Sequence, residues 1–236
     1  MDNFALKWEM FWQKFAEQGG YEKVLEGLRN TLIVAVFGLV IGLLIGTVIA
    51  AIEVMPKYKR LPRVLEKFCR LYVAYFRGTP LVVQLLVGYF VLRPLLGLPL
   101  SALASCVVIY GMNSGAYVSE IMRGGINSVD PGQMEAGRAV GLSYFTTMRK
   151  VVIPQAIKNI LPSIGNEFIA LVKDTSIVSF VGTVDLYVAF KYIGTNNYEF
   201  MVPYLVMALI YIVLVLLISL GIRLMERRLK KSDRTR

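Results

Sequence analysis

Three stretches of the chain, residues 30–52, 94–119 and 200–222, run without a single Asp, Glu, Lys or Arg. Each is long enough to cross a hydrocarbon layer of roughly 30 Å as a helix, the form that keeps every backbone polar group bonded inside the segment. Two further apolar stretches carry charge and are longer than one crossing needs. Residues 63–92 contain Arg70, Arg77 and the sequence Gly78-Thr79-Pro80, and residues 159–190 contain Glu167, Lys173, Asp174 and Asp185. Counted together, these segments predict an all-α fold, a polytopic membrane helical bundle of five transmembrane helices. Ahead of them Trp8, Phe11, Trp12 and Phe15 recur at i, i+3, i+4 and i+7, with Lys7, Glu9, Gln13 and Lys14 elsewhere on the wheel. That spacing predicts an amphipathic interfacial helix over residues 1–22, anchored at headgroup depth. Glu9, Glu17 and Glu22 interrupt the apolar run, so the segment does not read as a cleaved signal peptide. The expected organisation is this helix, one transmembrane domain over residues 23–225, and a basic tail over 226–236.

Charge orients the bundle. Lys57, Lys59, Arg60 and Arg63 follow the first crossing, and Arg227, Arg228, Lys230, Lys231, Arg234 and Arg236 follow the last. Arg123, Arg138, Arg149, Lys150 and Lys158 lie between the third and fourth, whereas the opposite connections hold Arg93 and Lys191. With five crossings the basic sets fall on one side, so the amino terminus is expected outside, the carboxyl terminus inside, and the 126–158 loop in the cytoplasm.

The 236 residues carry a net charge of +10 and no histidine. Because the positive charges flank membrane spans rather than line one face, the basicity reads as topological and nucleic-acid binding is excluded. The lack of histidine removes His-based catalysis, proton relay and metal ligation. No nucleophile–base constellation stands out. Cys69 and Cys106 both lie in apolar runs and imply no disulfide framework. In the first span Gly38, Gly42, Gly46 and Ala50 form a small-xxx-small stripe, which predicts close helix packing within the bundle or against another subunit.

Ionisable groups at membrane depth are costly and usually face a cavity or a partner. Asn113, Tyr117 and Glu120 share one helix face at i, i+4 and i+7. Glu167 and Asp174 are two turns apart, about 10.5 Å along the axis, with Asn166 and Lys173 in a neighbouring stripe. Gly78 and Pro80 loosen the second span beside Arg77 and Thr79, freeing backbone amides where a cavity tolerates them. These faces form a candidate polar site for a zwitterion. Arg77 with the amides of Gly78 and Thr79 serves the carboxylate, and Glu167 or Asp174 serves a cationic group, with Asn166, Asn113 and Tyr117 as further contacts. The competing reading is internal pairing, of Lys173 with a nearby acid and of Arg77 with Glu120. At Glu167 no Lys or Arg lies three or four positions away on the helix, which favours ligand contact there.

In the loop, Asp130-Pro131-Gly132 sets a turn, Met134 to Val140 predicts a short helix, and Gly141 ends it in a left-handed cap. Ser143 is the expected N-cap of a second stretch that breaks near Pro154. One acid, Glu135, and the small residues Ala136, Gly137 and Ala139 offer a surface that another protein can approach closely.

The spacing Glu135-Ala136-Gly137, three residues, Gly141, nine residues, Val151-Val152-Ile153-Pro154 resembles the Glu-Ala-Ala loop of ABC-importer permease subunits. "FRGTPLVVQL", "GAYVSEIMRGGI" and "PQAIKNILPSIGNEFIALVKDTSIVSFV" are similar to the polar amino-acid branch of that family, from about Leu28 to the last span. The resemblance implies a permease domain over 23–225 that pairs with a second permease chain, identical or not. It also implies a cytosolic ATP-binding subunit dimer, an external solute-binding protein, and location in a prokaryotic cytoplasmic membrane. It assigns Glu135, Ala136, Gly137, Gly141 and Pro154 to ATPase coupling, with Glu135 the polar contact and Gly141 the residue that fixes the turn. Gly137 stands where the family more often has alanine, at a helix cost of about 1 kcal/mol. The chain has no GxxxxGK[ST] phosphate loop, so no cofactor is expected on it, and ATP and Mg belong to the partner ATPase. "GNEFI", with Glu167 after Asn166, is most similar to permeases for arginine, lysine or histidine. The alternatives are a permease for glutamine or another polar solute and, from a different class, an ion-coupled carrier using Glu120, Glu167 and Asp174. The absence of a detectable internal repeat argues against the last.

Overall fold

The long uncharged runs fold as helices in the computed structural model, which describes residues 2–55 and 60–234. Lys57, Lys59 and Arg236, used above to orient the chain, lie outside the described residues. The elements are α1 (Asp2–Trp12), a π-turn (Gln13–Glu17), α2 (Gly20–Val54), α3 (Arg60–Gly78), α4 (Leu81–Val87), a second π-turn (Gly88–Leu92) and α5 (Arg93–Leu95). There follow α6 (Ala102–Asn127), α7 (Pro131–Ala139), α8 (Tyr144–Thr147), a third π-turn (Met148–Val152), α9 (Ile153–Asp174), a 3-10 turn (Thr175–Val181), α10 (Leu186–Asn197) and α11 (Met201–Arg234). The described residues are all-α. α2 and α11 are long and apolar enough to cross a membrane, and each of two bent helix pairs adds a crossing if counted as one span. α6, uncharged from Ala102 to Ser119 but diluted by Ser, Asn, Gly and Tyr, completes the expected bundle.

Both charged spans are broken. Residues 63–92 divide into Arg60–Gly78 and Leu81–Leu95, bent by 108° where Pro80, in an extended conformation, caps α4. Residues 159–190 divide at Gly182, whose φ of 76° ends the 3-10 turn, and the following helix bends by 57°. Pro154, in contrast, breaks nothing. The π-turn over Met148–Val152 sits immediately before it, and the widened ring accommodates the missing donor, so helix continues through α9.

The chain groups into two compact units, each discontinuous in sequence. The first (1–38, 80–110 and 169–217) is built on Phe11, Val24, Leu186, Phe190, Ile193 and Val202, with Phe15 and Leu28 packed against them. The amino-terminal aromatic stripe is therefore split. Phe11 is buried in protein, while Trp8 and Trp12 stay exposed, because an apolar ring is as well solvated by a protein core as by lipid. Asn197 Nδ2 donates to Met10 O at 2.8 Å, and Lys7 Nζ pairs with Glu199 Oε2 at 2.9 Å. The hydrogen bond from Lys7 holds the Glu199 carboxyl below its usual 4.5, so this clasp is present above that pH and is lost as pH falls through the lowered value. The protection factors of the α1 amides, taken against the intrinsic exchange rate at each pH, are expected to fall on acidification below 4.5, and Lys7→Ala should show the lowered protection already at neutral pH.

The second unit (39–79, 111–168 and 218–236) is held by close helix contact. A Cβ at Gly42 would stand 2.7 Å from Ser114 Oγ, and one at Gly46 only 2.6 Å from Val118 Cγ1. The fit is reciprocal, since Gly111 lies against Ile41 and Gly115 against Ile45. Gly42 and Gly46 thus serve packing inside the chain, with α2 and α6 exchanging small and large residues. Gly46→Ala is expected to cost about 1–3 kcal/mol by overpacking. Thermal unfolding in detergent would measure it, and Val118→Ala should not restore the loss, because the Ser119 amide nitrogen is itself 2.9 Å from the added Cβ. Ile49, Val73, Phe76 and Ala116 join α3 to the same pair, and Tyr72 Oη donates to Met112 O.

Candidate functional site

The face Asn113–Tyr117–Glu120 of α6 meets the last turn of α3. Asn113, buried, donates from Nδ2 to Phe76 O at 3.4 Å. The Arg77 guanidinium lies 5.6 Å from the centre of the Tyr117 ring, and its Nη1 is 3.4 Å from Glu120 Oε2. A cation over an aromatic face is attracted by the ring's quadrupole. Gly78 is exposed with open space about it, and Thr79 Oγ1 donates to Tyr75 O at 2.8 Å, finishing the helix. The Arg77–Glu120 pairing weighed from the sequence is thus formed.

Glu167 sits on α9 and is half-buried; Ser114 Oγ donates to its Oε1 at 2.8 Å. Ser114 follows Asn113 directly, so the Arg77 group and the Glu167 group occupy adjoining faces of α6. Asn166, next to Glu167, is exposed. Asp174 belongs to the first unit, where its side chain is exposed and its carbonyl accepts from Tyr110 Oη at 2.6 Å. Ser114 carried no signal in the sequence. It is a small neutral residue in an apolar run, identified only by what it touches.

The loop helix α7 forms, but it starts at Pro131 rather than Met134, because Asp130-Pro131-Gly132 opens the helix instead of turning the chain ahead of it. Asp130 caps it, accepting from Gly132 N at 2.8 Å, and Pro131 occupies the first turn. At its end Gly141 N bonds Arg138 O and Leu142 N bonds Gly137 O, with Gly141 at φ 86°, a left-handed closure that glycine adopts without strain. Ser143 caps α8 as expected. Glu135, Ala136 and Ala139 are exposed, as are Val140 and Phe145 beyond them. Gly137 is not: it is buried, and a Cβ there would come within 2.3 Å of Thr147 Cγ2. Its smallness seats α7 on α8, so the surface left for a partner is Glu135, Ala136 and Ala139. Met134, Met148 and Val152 pack below, and Gln155 Nε2 donates to Gln133 Oε1 at 3.1 Å. Pro154 is exposed at the start of α9.

A bundle of apolar helices with a polar helix face and a capped helix on a loop is the build of the transmembrane subunit of a transporter. The chain belongs to the family described as binding-protein-dependent transport system inner membrane component, whose pattern matches residues 38–231. It is an ABC permease, a transport subunit and not an enzyme. It is 39% identical over 208 residues to the "Putative glutamine transport system permease protein GlnP" of Rickettsia bellii, covering 88% of this chain and 91% of the relative. It is 40% identical over 210 residues to the "Arginine transport system permease protein ArtQ" of Bacillus subtilis, covering 89% and 94%. Among solved structures, that of an amino acid ABC transporter with histidines superposes with a TM-score of 0.82 at 38% identity, covering 91% of this chain and 97% of the other.

Proposed function

We propose that this chain is the transmembrane subunit of an ATP-driven importer that translocates polar, cationic amino acids (arginine, lysine or histidine) by alternating access. The observation that carries the substrate class is the Glu167 carboxylate, oriented by Ser114 at 2.8 Å on a half-buried face of the bundle. It recognises a guanidinium or ammonium, with Asn166 beside it. Arg77, with Gly78 and Thr79, takes the substrate carboxylate when Glu120 yields part of its hold; Asn113 and Tyr117 shape that side. α7 presents Glu135, Ala136 and Ala139 to a cytosolic ATPase dimer that carries ATP and Mg. Gly137 and Gly141 fix the helix that is pushed, and Pro154 lies on the continuous helix that carries the push inward. The working unit pairs two permease chains and receives amino acid from an external binding protein. Residues 23–225 act as the permease domain, residues 1–22 as its interfacial helix, and residues 226–236 as its cytoplasmic tail. The chain sits in a prokaryotic cytoplasmic membrane with its amino terminus outside.

The name of the Rickettsia relative favours a second reading, glutamine. Uptake of labelled arginine by proteoliposomes holding the complete complex separates the two. Unlabelled lysine and histidine are expected to compete and glutamine is not; competition by glutamine equal to that of arginine would overturn the cationic assignment.

A further inference from the structure

Below the Arg77 group, α2, α3, α6 and α8 enclose a cavity of about 660 Å³ whose lining includes Glu53, Glu66, Arg70, Glu120, Arg123 and Tyr144. Two carboxylates in it stand in unequal positions towards one cation. Arg123 gives Glu120 two hydrogen bonds, Nη2 to Oε2 at 2.7 Å and Nε to Oε1 at 3.3 Å. Glu53 has a side chain only 7% exposed, and its Oε2 accepts no hydrogen bond among the described residues. Arg123 Nε lies 3.7 Å from that oxygen, within ion-pair range but too far for a hydrogen bond. A buried carboxylate oxygen left without a donor is costly, and the nearest relief is a small movement of Arg123. Glu120 meanwhile divides Oε2 between Arg123 and Arg77 at 3.4 Å.

The same corner is tied to the loop. Tyr144, the first residue of α8, donates from Oη to Val54 O at 2.8 Å, next to Glu53. One turn on, Thr147 packs against Gly137 of α7. A push on α7 therefore reaches the end of α2 through α8.

We propose that Arg123 is a positioning residue that couples the loop to the transport site by exchanging partners, from Glu120 in this structure to Glu53 in the opposite state of the cycle. This rests on the reading of the chain as an ATPase-driven permease. With Arg123 on Glu120, the Glu120 carboxylate is shared and Arg77 is available to a substrate carboxylate. With Arg123 on Glu53, Glu120 holds Arg77 alone and the substrate loses its anchor. The planar guanidinium, with five donors in a fixed fork, suits such an exchange between two carboxylates. The cavity gives it room, and no proton need move.

The test uses the complete complex in nanodiscs. Glu53→Gln keeps size and removes the receiving charge. Its substrate-stimulated ATP turnover is expected to fall about ten-fold, while basal turnover and the substrate KM stay within about two-fold of the wild type. Glu53→Asp, which retains the carboxylate, should recover at least about half of the loss. Arg123→Gln and the double variant Glu53→Gln/Arg123→Gln should be equally impaired, because both break one exchange. Full stimulated turnover in Glu53→Gln, or a double variant whose loss is the product of the single losses, overturns the exchange. A wild-type complex that neither assembles with an ATPase nor hydrolyses ATP overturns the functional reading beneath it.

Discussion

Gly137→Val is expected to abolish coupled transport while leaving the transmembrane helices folded. The added Cβ would stand 2.3 Å from Thr147 Cγ2 and 2.9 Å from Thr147 Oγ1. Thr147 cannot turn away cheaply, since it is fully buried and its hydroxyl is bonded to Ser143 O at 3.0 Å. Overpacking of this kind costs about 1–3 kcal/mol, and the branched valine adds crowding on a helix of only nine residues. With 1.4 kcal/mol per factor of ten, a cost of about 3 kcal/mol lowers the ratio of seated to unseated loop helix roughly 100-fold. Gly137→Ala is milder, because alanine returns about 1 kcal/mol of helix propensity against the clash. Combining it with Thr147→Ala, which deletes the two closest crowding atoms and leaves only Cβ at 3.2 Å, should restore most of the uptake. Co-purification of the ATPase with each variant reads the seating directly, and a fully coupled Gly137→Val would show that α7 does not depend on this contact.

Glu167→Gln should raise the apparent KM for arginine in proteoliposomes roughly 30-fold, with maximal uptake changed far less. The substitution is nearly isosteric, and the amide oxygen can still accept from Ser114, so the site keeps its shape. What it loses is a charge-assisted contact, worth about 1.5–3 kcal/mol, or about ten-fold to 150-fold in affinity. An arginine KM unchanged by the substitution would remove Glu167 from the site and return it to a structural role with Ser114.

Where local chemistry decides, the sequence was readable. The Gly141 closure and the Ser143 cap follow from residue type and spacing, whereas Asp130-Pro131-Gly132, read as a turn ahead of the helix, turns out to cap it and form its first turn. The Gly78-Thr79-Pro80 break was visible too, although not that it bends the chain by 108°. Residues that act through a distant partner were opaque. The glycine stripe announced close packing but not that Ser114 and Val118 fill it, and Gly137 looked like an open surface because Thr147 lies ten positions on. Phe11 read as lipid-facing because lipid and protein core reward the same apolar ring. Pro154 read as a break because the π-turn that absorbs it has no composition of its own. Among the candidate site residues, the i, i+4, i+7 face of α6 was legible, and its meeting with Arg77 was one of two open readings. The Ser114 hydroxyl on Glu167 was invisible, as was the unmet oxygen of Glu53, since both depend on tertiary placement.

The central claim is that this chain converts ATP hydrolysis by a separate subunit into import of a cationic amino acid. Its most direct measurement is ATP hydrolysis by the reconstituted permease–ATPase complex, with binding protein present, across arginine, lysine, histidine and glutamine. Stimulation by the three cationic amino acids and little by glutamine, abolished by Gly137→Val, is the predicted result. Uptake by the permease alone, without any ATPase, or hydrolysis indifferent to all four amino acids, would contradict it.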